Sequence, residues 1–120
     1  MLFICYPKCT TCQKAKKWLE LRGIKFEERN IKENNPTFDE LKKWYELSGL
    51  PLKRFVNTSG LLYKGLNLKE KLPAMSQNEQ IELISSDGML VKRPLIVGES
   101  FVLVGFKEAE WEITLNKKSI

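Results

Sequence analysis

Cys9 and Cys12 stand three positions apart in Cys9-Thr10-Thr11-Cys12. Two thiols at that spacing can close on each other, so a neighbour can resolve an intermediate formed on the first. The apolar run Leu2-Phe3-Ile4-Cys5-Tyr6 precedes the pair, Pro7-Lys8 intervenes, and the amphipathic run Gln13 to Arg22 follows. This reads as strand, tight loop, helix, with Cys9 at or just before the first helical turn and Cys12 one turn further in. The free N–H groups and dipole of a helix start favour negative charge, and the thiolate is the reactive form of cysteine. Cys9 is therefore read as the attacking thiol and Cys12 as the resolving thiol. Two other readings stay open. The pair could be half of a zinc site, although structural zinc takes four Cys or His ligands and the chain has three cysteines and no histidine; no metal is expected. It could also be two structural thiols, since free cysteines are often buried. Cys5, on the first strand, reads as a small core residue.

The absence of histidine removes Cys-His pairs, Ser-His-Asp triads and His-rich metal centres. Any activation of a thiol must come from a helix N-terminus, a nearby cation or local hydrogen bonds.

The elements that position the pair can be read outward from it. Cys12, Ala15, Trp18 and Leu19 recur at helical spacing, and Gly23 suits a helix stop. Ile24 to Ile31 reads as a second strand, and strand–helix–strand predicts a right-handed unit with a parallel pair. Thr37 and Glu40 form a capping box for a helix with Phe38, Leu41, Trp44, Tyr45 and Ser48 inward, ended by Gly49. Pro51 opens a helical turn through Phe55, Asn57 to Gly60 reads as a loop, and Leu66 to Leu72 as a short helix broken by Pro73. Ser76 and Glu79 cap a helix with Ile81 and Ile84 inward that stops near Asp87-Gly88. Residues 33–88 are thus a helical insertion with no clear strand. Leu95 to Val97 reads as a buried strand, Gly98-Glu99 as a two-residue hairpin turn, and Phe101 to Val104 as its antiparallel return. Gly105 breaks that strand. Lys107 to Leu115 reads as a final helix with Ala109, Trp111 and Ile113 partly inward, followed by a frayed tail, 116–120.

This order predicts an α/β fold, a thioredoxin-like β-α-β … β-β-α mixed sheet forming one domain over residues 1–115. In such folds a cis-proline lies beside the active-site loop at the entrance to the third strand. Arg93-Pro94 occupies that place, so a cis bond is expected, with Arg93 beside the Cys9 sulfur to stabilise a thiolate or hold an oxyanion in its planar fork. The plain alternative is a surface arginine ahead of a strand.

With 120 residues, one modest core is expected. No apolar stretch approaches transmembrane length and no signal peptide is visible, so a cytoplasmic location without membrane contact is expected. There cysteines stay mostly reduced, and disulfides are transient or catalytic. The net charge of +5 is spread over the chain rather than gathered in blocks, and no stripe with interleaved aromatics predicts direct nucleic-acid binding.

Tyr6-Pro7-Lys8-Cys9-Thr10-Thr11-Cys12, the following Lys-Ala-Lys-Lys-Trp-Leu, Arg93-Pro94-Leu95-Ile96-Val97 and Val104-Gly105-Phe106 together resemble the arsenate reductase/Spx family of bacterial thioredoxin-fold proteins. The resemblance runs over residues 1 to about 115 and is loosest between 30 and 90. It implies Cys9 as nucleophile, with Lys8 where arsenate reductases usually carry Arg, and Arg93 as the Arg before the Pro. Lys8, Thr10, Thr11 and Pro94 are then the residues expected to stabilise the thiolate or a bound anion. The arsenate-reducing branch implies further arginines, one in a loop that here reads Phe55-Val56-Asn57-Thr58-Ser59-Gly60 and one at Gly105-Phe106. Neither is present, though Arg54 is a candidate substitute. That branch also lacks a second Cys such as Cys12, which points to the Spx-like branch, whose members use the pair as a redox switch. The resemblance implies no bound cofactor, glutathione or thioredoxin as external reductant, and a thiol or disulfide substrate. For the regulators it implies RNA polymerase as partner.

Overall fold

The structure is a computed structural model, and it describes residues 1–116. The expected tail lies outside the described residues except for Asn116, which ends the last helix.

Four strands make one mixed sheet: β1 (Leu2–Cys5), β2 (Glu27–Asn30), β3 (Leu95–Val97) and β4 (Val102–Val104). Their spatial order is β2-β1-β3-β4. β1 runs parallel to β2, joined by helix α1 (Thr10–Leu21), and antiparallel to β3, which pairs antiparallel with β4. Strand alternation divides the core into two layers. Phe3 and Cys5 of β1, Ile96 and Leu103 face α1 and helix α6 (Glu108–Asn116). Ile4, Leu95, Val102 and Val104 face the helices between β2 and β3. The arrangement is thioredoxin-like, as the order of elements predicts.

Those intervening helices are α2 (Phe38–Ser48), α3 (Leu61–Gly65), α4 (Leu68–Lys71) and α5 (Gln77–Ser85). Both predicted capping boxes are present, at Thr37–Glu40 and Ser76–Glu79. Arg29 joins β2 to α2 through a two-pronged pair with Glu40, at 2.7 and 2.8 Å. Gly88 has no room for a side chain, because a Cβ there would lie 1.8 Å from the Ile31 carbonyl oxygen. It is the close approach of the turn Gly88–Leu90 to the end of β2, rather than a helix stop alone, that requires glycine here.

Several boundaries differ from expectation. The second strand is shorter, Glu27–Asn30, because Ile24 and Phe26 leave the ladder to pack on the α1 layer, with Phe26 edge-on to Phe3. A helix at Leu61–Gly65 was not expected. The predicted Leu66–Leu72 helix starts later, at Leu68, because Asn67 takes a left-handed conformation, φ 55°, which Asn tolerates. Val56 is not purely part of a helical run: it forms an isolated antiparallel bridge to Val91. The hairpin loop is Glu99-Ser100 rather than Gly98-Glu99. Gly98 donates its N–H to the Phe101 carbonyl at 2.9 Å, and the Phe101 ring occupies the space a Cβ on Gly98 would need. In α6 the inward residues are Trp111 and Leu115, one turn apart, while Ala109 and Ile113 are exposed. Among the described residues no helix is long and apolar enough to cross a membrane.

Candidate functional site

Cys9 is the N-cap of α1, with φ −84° and ψ 123°, and its side chain makes no capping bond. The loop before it is tied down locally. The Cys9 N–H donates to the Tyr6 carbonyl at 2.9 Å, and the Gln13 side chain reaches back to the Pro7 carbonyl at 2.9 Å. The half-buried Cys9 opens into a cavity of about 660 Å³. Thr11 and Arg93 share that lining. So do Lys53, Arg54, Lys92 and Lys107, with no Asp or Glu among the lining residues.

The Arg93–Pro94 bond is cis. The Arg93 guanidinium lies 5.4 Å from the Tyr6 ring centroid, and its Nε and Nη1 are buried with no hydrogen-bond partner. A half-buried guanidinium with two idle donors, lining the same cavity as a thiol, suits a negatively charged ligand. Pro94 is buried, and its carbonyl accepts the Gly105 N–H at 2.9 Å, which holds the end of β4 over the site.

Cys12 is 1 % exposed and lies beneath Cys9 on α1. The Tyr6 N–H donates to its sulfur at 3.3 Å. Its thiol is pushed far up from the ordinary range, first by the neighbouring Cys5 thiol and then by burial. The Cys5 thiol is shifted the opposite way by the neighbouring Cys12, against the opposing effects of burial and Glu28. Cys9 packs against the same layer that holds Cys5 and Cys12.

Of the residues expected at the site, Cys9, Thr11 and Arg93 meet in the cavity and Cys12 adjoins it from below. Lys8 and Thr10 are exposed and outside its lining, as is the buried Pro94. The loop expected to carry a further arginine does reach the cavity through Val56 to Gly60, with Arg54 just before it. Lys53, Lys92 and Lys107 were not foreseen. They come from a 3-10 turn, the residue before Arg93 and the start of the segment after β4, and no spacing in the chain connects them.

Residues 5–114 match the ArsC family model. The chain belongs to the ArsC family. It is 57% identical over 112 residues to YusI of Bacillus subtilis, described as an uncharacterized protein, covering 93% of this chain and 95% of that one. It is 32% identical over 120 residues to the regulatory protein MgsR of the same organism, covering 100% of this chain and 94% of MgsR. The crystal structure of an ArsC family related protein from Bacteroides fragilis superposes with a TM-score of 0.91 at 59% identity, covering 93% of this chain and 94% of that one. Within the ArsC family, then, this chain carries a second cysteine one helical turn from the first.

Proposed function

We propose that this ArsC family member carries out thiol–disulfide chemistry, with Cys9 attacking an oxidised substrate or disulfide and Cys12 resolving the product. The observation that supports this most directly is Cys9 at the uncapped start of α1, facing a cationic cavity with Cys12 one turn on in the same packed layer. Cys9 sulfur bonds to the incoming sulfur and expels the leaving thiol. Cys12 then attacks Cys9 and releases the reduced product, leaving a Cys9–Cys12 disulfide. Arg93 offers its unpaired donors to the thiolate or to a carboxylate of the substrate. An external dithiol or glutathione resets the pair.

The test is equilibration in glutathione buffers followed by mass mapping of alkylated cysteines. A Cys9–Cys12 disulfide with a potential between roughly −180 and −270 mV, the span of protein disulfide isomerase, glutaredoxins and thioredoxin, is the expected result. Glutathionylated Cys9 with no internal disulfide would instead make the chain a one-thiol enzyme, with arsenate as the next oxyanion to try against the cationic cavity.

The likeness to MgsR over the whole chain favours a second reading, in which the pair is a switch without turnover. RNA polymerase is then the partner, bound in one redox state. Capture of purified polymerase by the reduced or the oxidised chain, but not both, separates this reading from the first.

A further inference from the structure

Cys12 packs in one buried layer with two other thiols, Cys9 on the cavity side at the start of the same helix and Cys5 on β1. Cys5 has no part in the chemistry described above. It is 3 % exposed and points into the α1 layer, as Cys12 does. Its S–H donates to Glu28 Oε1 at 3.6 Å, and Glu28 is paired with Lys16 at 2.9 Å. Cys12 is therefore the middle member of a chain of contacts that begins at the cavity and ends on a carboxylate of β2.

We propose that Cys5 is a third redox-active thiol, which takes Cys12 from a Cys9–Cys12 disulfide and holds the oxidation as a buried Cys5–Cys12 disulfide. This rests on the thiol–disulfide reading of the Cys9–Cys12 pair. The step is an internal exchange. The Cys5 proton passes to the Glu28 carboxylate as Cys5 sulfur attacks Cys12 sulfur. The Cys5–Cys12 bond forms, the Cys9–Cys12 bond breaks, and Cys9 leaves as the thiolate. Cys5 is oxidised and Cys9 reduced, with no outside oxidant or reductant in this step. The released charge appears in a cavity lined by cations, which favours the forward direction. Cys9 is then free for a second encounter. The stored disulfide is shielded from bulky reductants and is reduced by the reverse route, through Cys9.

The test uses the full chain, oxidised with one equivalent of diamide and sampled over time. Samples are quenched in acid, which stops thiol–disulfide exchange, and unfolded there in the presence of a maleimide so that buried free thiols are blocked too. Cleavage after Lys8 and Lys14 puts Cys5 on one peptide and Cys9 with Cys12 on another, and fragmentation distinguishes which of the latter is linked. The expected result is a Cys9–Cys12 disulfide that appears first and gives way to a Cys5–Cys12 cross-link. In Cys9→Ala the cross-link should form about tenfold more slowly or less, because the buried pair has lost its entry point. In Glu28→Gln the second step should slow about three- to tenfold, with formation of the first disulfide unchanged.

A lasting Cys9–Cys12 disulfide with no cross-link to Cys5 overturns the relay and leaves the two-cysteine reading standing. Cross-linking at the wild-type rate in Cys9→Ala overturns it too, because oxidation would then reach Cys5 and Cys12 directly. A modified Cys9 with no internal disulfide of any kind overturns both readings.

Discussion

A buried hydrogen-bonding group left without a partner costs about 1–3 kcal/mol, and more when it is charged. Arg93 has two such nitrogens beside Cys9, so a purely structural account of this residue predicts a loss of stability without it. A ligand- or thiolate-binding account predicts the reverse. Arg93→Met keeps the apolar stem and removes the charge. We expect its melting temperature to be unchanged or raised, while alkylation of Cys9 by anionic iodoacetate slows by about tenfold relative to alkylation by neutral iodoacetamide. An unchanged ratio of the two alkylation rates with a clearly lower melting temperature would make Arg93 a structural residue. Cys9, Cys12 and Arg93 were legible in the sequence because a strand–loop–helix context and a proline at a strand entrance each limit the chain to few geometries. The contacts of Cys5 were not. Strand alternation shows which face a residue takes, but not which side chain of the helix above will meet it.

At the level of elements, the Arg29–Glu40 pair fastens α2 to β2 and completes a capping box at the same time. The Arg29 guanidinium, followed by the Thr37 backbone bond, holds the Glu40 carboxyl at about 2, below its ordinary 4.5. Its folded value is lowered, so the unfolded chain binds the extra proton first. The stabilisation is complete above about pH 4.5 and is lost as pH falls toward 2. The shift sets a ceiling of about 3 kcal/mol, which partial exposure of both side chains reduces to about 1–2 kcal/mol. Glu40→Gln should therefore lower stability by that amount at pH 7 in urea titrations, and converge with wild type near pH 2. A constant offset across the whole range would mean that the pair contributes nothing through its charge. The capping boxes were readable because their signal is local. The short strand β2 was over-extended because hydrophobic Ile24 and Phe26 serve the adjoining layer instead of the ladder. The left-handed Asn67, by contrast, carries no periodic signature at all.

Considered as a whole, the molecule gathers part of its +5 charge around one cavity. The sequence shows only scattered lysines, because Lys53, Arg54, Lys92, Arg93 and Lys107 come together through the docking of the helical run against the end of the sheet. With no carboxylate in the lining, the field at Cys9 attracts anions before any contact is made, and it should select among disulfides of equal reactivity by their charge. That selection is measurable. The reaction of Cys9 with a dianionic aromatic disulfide should slow by about three- to tenfold between 20 and 500 mM salt, as the screening length shrinks from roughly 20 to 4 Å. Reaction with cystamine, a cationic disulfide, should quicken over the same range, and that with a neutral hydroxyalkyl disulfide should hardly change. Cys5→Ser retains the cavity and should show the same three responses. Lys53→Gln combined with Arg54→Gln, in the 3-10 turn that lines the cavity, should shallow the first slope and leave the neutral rate alone. Equal salt responses for all three disulfides would mean that the cations are too solvated to steer. The choice of substrate would then rest on contacts within the cavity, Arg93 foremost among them.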